Sequence, residues 1–285
     1  MIDIQSPSFI AGLEQLRTPL VPLARIVHFL YLTGPFEQVE QILDELHEPV
    51  EMETAVYADP GARLRPHLEH LQLLEKLKQP TDFPLPLLLD EGMQPVDRFD
   101  ALDLLMNQGI LEQELEQINS LLCGPCGCTL CCVGPDKGMA QEFFEIPLQP
   151  QETGLFTCPG IDTATSRQSD LYAVGPPTQE TTTLYHWQRG WSLVMPQGCT
   201  CPNLDQDNRG CRIYTDRPTV CRKPQIFPYL LERSPEHDQD SRAAFLVRRK
   251  LLAVWDCPYV RELQETIGAY AQLCGLEPVF ANNKR

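Results

Sequence analysis

The sequence lacks any run of 18 or more apolar residues, the length that a membrane-spanning helix requires. Its start, Met1 to Pro7, also lacks the basic segment and apolar core that mark a secretory leader. Positive charge is scarce, with 23 Lys and Arg against 39 Asp and Glu and a net charge of -16. Because a surface of this charge repels polyanions, we predict that the protein binds neither nucleic acid nor a membrane. From the missing leader and the missing membrane-spanning run we predict a cytoplasmic protein.

Common catalytic patterns are absent as well. No Ser-His-Asp arrangement, phosphate-binding glycine loop or pair of catalytic carboxylates stands out in the sequence. Any enzymatic activity is therefore expected to come from a metal. The chain of 285 residues can bury an ordinary core, as one large domain or two smaller ones, and does not need cross-links to fold.

Cysteine is absent from residues 1–118, where apolar residues recur at helical spacing in several segments, including Leu23 to Leu32. We therefore predict a helical N-terminal region over 1–118. Residues 119–285 are predicted to form a cysteine-cluster metal-binding domain with C-terminal helices. The expected fold class is mainly α, with a small irregular α+β cysteine-rich metal-binding core.

Short strands are expected after the first cysteines. Residues 143–148 and 171–174 have the composition of short strands. Residues 183–195 alternate around a turn that contains Gly190, which predicts a hairpin.

The C-terminal part has helical spacing again. Apolar residues from Phe245 to Trp255 predict one helix, and those from Val260 to Leu273 predict another. Gly275 is the expected end of the second helix, because glycine is the usual residue just after a helix.

Five of the 12 cysteines fall within residues 123–132. Two cysteines separated by two residues can direct both sulfurs at one centre across a tight turn, which the intervening glycines and Pro125 favour. Cys131 and Cys132 are adjacent, so in an extended segment their side chains would diverge towards different metal atoms or sites. Since cytosolic thiols are kept reduced, this density favours a metal site over a disulfide framework. The five are Cys123, Cys126, Cys128, Cys131 and Cys132.

A second group of four cysteines lies within 199–221, namely Cys199, Cys201, Cys211 and Cys221. Basic residues surround this group although the chain is acidic. Their charges could offset a thiolate centre or bind an anionic substrate; alternatively, they are ordinary surface residues that pair with nearby Asp. Arg217 and Arg222 are the two that we expect at the cofactor.

Other candidate ligands are isolated. Cys257 lies at the break between the two predicted C-terminal helices, from where it could close the metal site. Cys158 lies in a loop and is either a remote ligand or a bystander, whereas Cys274 is expected to be a buried apolar thiol. His67 and His70 are three residues apart on a helix, but no third ligand is nearby, so a solvated helical face is expected.

The two cysteine groups together resemble the YkgJ-type cysteine-cluster family, which is described as zinc- or iron-chelating. Its members combine a Cys-x-x-Cys-x-x-Cys-Cys cluster with three later motifs. The matching segments are Cys201-Pro-Asn-Leu204, Cys211-Arg-Ile-Tyr214 and Arg217-Pro-Thr-Val-Cys221-Arg222. The first cluster departs from the pattern, because Cys126-Gly-Cys128 has one residue fewer than the family spacing. The resemblance covers residues 123–228 and leaves open which of Cys123, Cys126, Cys128 and Cys199 are spare.

This resemblance implies metal binding without a particular reaction. One relative, the flagellin lysine methylase, resembles an iron-sulfur enzyme that uses S-adenosylmethionine, so cluster-dependent methyl transfer is an analogy. The usual radical Cys-x3-Cys-x2-Cys motif is absent.

Three hypotheses remain for the cysteines, and ligand softness favours the first. It is one or two [4Fe-4S] clusters, since four thiolates saturate each cluster. If one cluster position lacks a thiolate, redox or methyl-transfer catalysis is possible at that position. A redox or protein partner is expected. The second is a structural four-cysteine zinc site or an interaction module without catalysis. The third is a thiol redox sensor. The expected metal ligands are Cys123, Cys126, Cys128, Cys131, Cys132, Cys201, Cys211, Cys221 and Cys257.

Overall fold

The computed structural model describes residues 2–52, 55–78, 85–162, 181–187, 190–208, 210–223, 225–234 and 243–282. Within these ranges, no helix is both long and apolar enough to cross a bilayer. The helices are α1 (Pro7–Arg17), α2 (Leu20–Thr33), α3 (Val39–Glu45), α4 (Pro60–Leu64), α5 (Leu68–Leu71), α6 (Arg98–Cys126), α7 (Thr219–Arg222), α8 (Pro258–Glu262) and α9 (Gln264–Cys274).

The strands form four sheets within the described residues. They are β1 (Val50–Glu51), β2 (Val56–Tyr57), β3 (Leu87–Leu89), β4 (Phe143–Leu148), β5 (Gly160–Asp162), β6 (Thr183–Trp187), β7 (Gly190–Pro196), β8 (Leu204–Asp205), β9 (Gly210–Cys211), β10 (Ile226–Arg233), β11 (Ala244–Val254) and β12 (Glu277–Ala281). The fold is therefore mixed α/β, which corrects the expected mainly α class.

The chain folds as two units. The first, here called the cysteine unit, comprises Met1–Asp3 and Cys123–Pro224. The second, here called the larger unit, comprises Ile4–Leu122 and Gln225–Arg285. The sequence places a single boundary between residues 118 and 119, whereas the larger unit combines segments from both sides of the cysteine unit.

Helices α1 to α6 account for most of the N-terminal segment of the larger unit, and their positions follow the apolar spacing. Helix α1 begins where the Ser6 hydroxyl accepts a hydrogen bond from the backbone N–H of Phe9 at 3.2 Å, with Pro7 in the first turn. Helix α2 has apolar residues on nearly every side, and it buries Val21 and Val27 completely. The predicted helix over Leu23 to Leu32 is thus confirmed.

Strand β11 corrects the helix predicted over Phe245 to Trp255. It pairs antiparallel with β10 along most of its length and in parallel with both β3 and β12. In a short segment, the spacing of apolar residues does not distinguish a buried strand from a buried helix. Pairing with the distant strands β10, β3 and β12 therefore determines the conformation. The next helices agree with the prediction, and Gly275 ends α9 with a left-handed φ of 73°.

The main sheet of the cysteine unit has the strand order β4-β7-β6-β5. Its centre is the predicted hairpin, because β6 and β7 pair antiparallel from Thr183 opposite Val194 to Trp187 opposite Gly190. Strand β4 is also as predicted and pairs with β7. The strand predicted at residues 171–174 lies outside the described residues.

Candidate metal centre

The first cysteines lie on a helix instead of the expected tight turn. Helix α6 continues through Pro125 to Cys126, so Cys123 and Cys126 both belong to its last turn. The turn comes immediately afterwards, at Gly127, whose φ of 59° is in the left-handed region that favours glycine. The helix end therefore fixes Cys123, and the turn directs the chain to Cys128.

Cys131 and Cys132 have their sulfur atoms close together, which corrects the expectation that they diverge. Residues Leu130–Cys132 form a 3₁₀ turn, and the Sγ atoms of the two cysteines are 3.9 Å apart. The divergence would require an extended backbone. Both side chains line one cavity instead of separate sites.

Backbone pairing brings the second cysteine group beside the first. The N–H of Cys201 donates to the carbonyl of Cys132, and the N–H of Gly134 donates to the carbonyl of Cys199, each at 2.8 Å. A glycine is required at position 134, because a Cβ there would lie 2.1 Å from the carbonyl oxygen of Pro196. We call this backbone contact of residues 132–134 with residues 199–201 the backbone bridge.

Two short elements add the remaining thiols. Cys211 lies in β9, where it pairs with Leu204 of β8. Cys221 lies in α7, whose first residue is held by Glu152: the carboxylate accepts hydrogen bonds from the backbone N–H of Thr219 at 2.7 Å and from its hydroxyl at 2.9 Å. Strand β9 and helix α7 therefore position these two cysteines within the cysteine unit.

Seven cysteines from both groups line one cavity of about 80 Å³ in the cysteine unit, here called the cysteine cavity. Polar side chains of Asn203, Tyr214 and Arg217 and several apolar residues complete its wall. The seven are Cys123, Cys128, Cys131, Cys132, Cys201, Cys211 and Cys221.

The other predicted site residues differ in where they lie relative to the cysteine cavity. Cys126 is buried and does not line the cysteine cavity, although its sulfur lies within 4.8 Å of that of Cys128. Cys257 belongs to the larger unit, where it is buried at the N-terminal end of α8, and its metal-binding role stays a prediction. Arg217 lines the cavity, whereas Arg222 donates a hydrogen bond to the Arg217 carbonyl at 2.9 Å.

Residues 122–244 match the family model described as "CxxCxxCC: Putative zinc- or iron-chelating domain". The match covers less than half of the chain, and over these residues the chain is similar to the CxxCxxCC family. The resemblance inferred from the cysteine motifs is thus confirmed for the part of the chain that carries them. No curated protein and no solved structure matches the chain.

Burial dominates the chemistry of the thiols in the CxxCxxCC domain. It raises the pKa of Cys123 and of Cys221 to about 12, and nearby thiolates add to this increase. The pKa of Cys131 is instead lowered, chiefly by its hydrogen bond with the adjacent thiol of Cys132. Most of these thiols therefore carry protons until a metal replaces them.

Arg217 supplies positive charge at this cavity although it is only 6% exposed. Its Nε donates to the backbone carbonyl of Tyr214 at 2.9 Å, and its Cζ lies 3.8 Å from the centre of the Tyr214 ring. The guanidinium opposes the pKa increases of Cys123 and Cys221. A buried cation among thiols suits a centre that becomes anionic when the thiols lose their protons.

Tyr214 is a site residue that the sequence indicates only as part of a motif. Its hydroxyl donates a hydrogen bond to the thiol of Cys123 and accepts one from the backbone N–H of Gly124. The signal was present in Cys211-Arg-Ile-Tyr214, but a motif alone does not indicate which side chain reaches the cysteines.

The histidine pair of the larger unit is not the expected solvated face. His67 is 4% exposed, and its burial, together with the nearby His70, lowers its pKa to about 4. Among the described residues, neither histidine belongs to a group of three ligand atoms within 4.8 Å of one another.

Proposed function

We propose that the CxxCxxCC domain binds an iron-sulfur cluster, most simply one [4Fe-4S] cluster, in the cysteine cavity. The observation that carries this proposal is the convergence of seven thiols from both cysteine groups on one cavity. Four thiolates saturate a cluster of this type. The cavity therefore offers a complete ligand set with three thiols to spare.

The spacing of the sulfur atoms supports a multinuclear centre over a single zinc ion. Zinc holds thiolates at about 2.3 Å in a tetrahedron, which places the sulfurs about 3.8 Å apart. Cys131 and Cys132 meet this spacing at 3.9 Å. Within the cysteine cavity, however, no three sulfur atoms lie within 4.8 Å of one another. A zinc site would therefore require several of the other side chains to move inwards.

The size of the cavity supports the same choice. Its volume of about 80 Å³ is several times the roughly 10–15 Å³ that a single water-sized probe occupies. A single ion would leave most of this space empty, and the apolar part of the wall could not hydrate it. A cluster of several iron and sulfide ions makes better use of both the space and the thiols.

A bound cluster would supply one-electron transfer. The cavity cysteines would hold it, and Arg217 would balance part of its negative charge. We propose a redox role in the cytoplasm with a protein partner. Cluster-dependent methyl transfer remains the alternative if one iron keeps an open position, and binding of S-adenosylmethionine to the loaded protein would favour it.

The decisive experiment is anaerobic purification of the full chain, followed by an absorption spectrum and iron, sulfide and zinc analysis of the same sample. We expect a broad band near roughly 400 nm with about four irons and four sulfides per chain. A colourless protein with stoichiometric zinc would contradict the proposal. The cysteine cavity would then be a structural zinc site that contributes free energy of folding.

A further inference from the structure

The side chain of Tyr214 connects the wall of the cysteine cavity with one of its thiols. Its hydroxyl donates to Cys123 and accepts from the backbone N–H of Gly124. A Cβ at position 124 would lie 3.2 Å from this hydroxyl oxygen, so a glycine there permits the close approach. The hydroxyl is thus held at the sulfur by two hydrogen bonds to adjacent residues.

Arg217 also restrains Tyr214. It stacks on the ring at 3.8 Å and binds the Tyr214 carbonyl, and its own carbonyl accepts a hydrogen bond from Arg222 at 2.9 Å. These contacts restrict both the backbone and the ring of Tyr214. A phenol hydroxyl can donate one hydrogen bond while it accepts another, so both contacts can form at the same time.

We propose that Tyr214 tunes the reduction potential of the metal centre by donating a hydrogen bond to Cys123, and that Arg217 positions it. This inference rests on the proposed iron-sulfur function and takes Cys123 as one of the ligands. A donor to a ligating sulfur withdraws electron density from it and stabilises the more negatively charged, reduced cluster. Hydrogen bonds to the sulfurs are one of the factors that set cluster potentials.

The test is Tyr214→Phe in the full chain, purified anaerobically, with the midpoint potential measured by a spectroscopic redox titration. We expect iron and sulfide contents equal to those of the unchanged protein and a midpoint potential shifted to a lower value. Arg217→Lys keeps the charge but loses the stacking plane and the Nε donor, so its potential should shift in the same direction by a smaller amount.

Tyr185→Phe is the matched control, because Tyr185 is buried in the same unit, stacks on Trp187 and does not line the cysteine cavity. Its potential should equal that of the unchanged protein. An unchanged potential in Tyr214→Phe, or a shift of equal size in the control, would overturn the tuning role.

Two further outcomes separate this inference from the proposed function. If Tyr214→Phe fails to hold iron while the unchanged protein is loaded, the hydroxyl is needed for assembly, and the tuning role is wrong. If the unchanged protein itself holds no iron, the proposed function fails, and the inference fails with it.

Discussion

At the scale of single residues, the cysteines differ in what they can do although the sequence presents them alike. Cys131 lies where its thiol interacts with those of Cys132, Cys201 and Cys221, while Cys274 is buried at the end of α9 in the larger unit. Burial raises the pKa of Cys274 well above its ordinary value, so it is an unreactive apolar thiol, as predicted. The surroundings, and not the residue type, separate a candidate ligand from a core side chain.

Serine in place of a cavity cysteine should remove the metal. We expect Cys211→Ser and Cys221→Ser each to lose most of the iron, because a hydroxyl is a poor substitute for a thiolate ligand. Cys274→Ser should keep full iron content. Iron and sulfide analysis of the anaerobically purified variants checks this, and full retention of iron in both cavity variants would show that the ligands lie elsewhere.

At the scale of elements, the backbone bridge is the contact that joins the two cysteine groups. Residues 132–134 lie beside 199–201 only because no side chain separates Gly134 from the carbonyl of Pro196. The spacing of the cysteines along the sequence gives no indication of this contact. The structure shows that an added side chain at position 134 would separate the two cysteine groups that line the cavity.

Gly134→Ala should therefore impair both folding and metal loading. The new Cβ would lie 2.1 Å from the carbonyl oxygen of Pro196, so the backbones must separate. We expect a loss of about 1–3 kcal/mol in the free energy of unfolding, typical of overpacking, and a lower iron content. Chemical denaturation and iron analysis measure the two effects.

Gly154→Ala is the control for this prediction. Gly154 lies in the same unit, within the 3₁₀ segment Pro150–Leu155, and a Cβ there would meet no atom within 4 Å. Its iron content should be unchanged. If the two alanine variants behave alike, the close approach at position 134 is not what holds the cysteine groups together.

Elements that adjacent residues determine are predictable from the sequence, whereas elements that distant partners determine are not. The β6 and β7 hairpin and the end of α9 at Gly275 were predictable, because adjacent residues determine them. Strand β11 was not predictable from its own residues, since β10, β3 and β12 decide its conformation. The cysteine cavity was predictable only in part. The sequence indicates its thiols, but the backbone bridge and the position of Tyr214 depend on contacts between residues that are distant in sequence.

At the scale of the whole molecule, the larger unit contains a buried acid that makes stability depend on pH. The carboxylate of Glu114, on α6, accepts a hydrogen bond from the N–H of Leu20 at 3.0 Å and another from the hydroxyl of Tyr270 at 2.6 Å. It thus joins the start of α2 to α9. Burial raises its pKa from the ordinary 4.5 to about 7 against these hydrogen bonds, which act to lower it.

The sign of the effect follows from where the proton is held. Between pH 4.5 and 7 the folded chain keeps the Glu114 proton and the unfolded chain does not. The contribution to stability is therefore complete below pH 4.5 and is lost as the pH rises through 7. At 1.36 kcal/mol per pKa unit, the loss is on the order of 3 kcal/mol.

Glu114→Gln should remove this dependence, because the amide stays neutral at every pH while its oxygen can still accept a hydrogen bond. Urea unfolding of both proteins at a series of pH values, with equal metal content, gives the difference in the free energy of unfolding. Since the other titrating groups are shared, they cancel in this difference, which we expect to move in favour of the glutamine variant as the pH rises from about 5 to about 7.5. A difference that stays constant over this range would mean that Glu114 is already ionised in the folded chain, and that the hydrogen bonds from Leu20 and Tyr270 outweigh its burial.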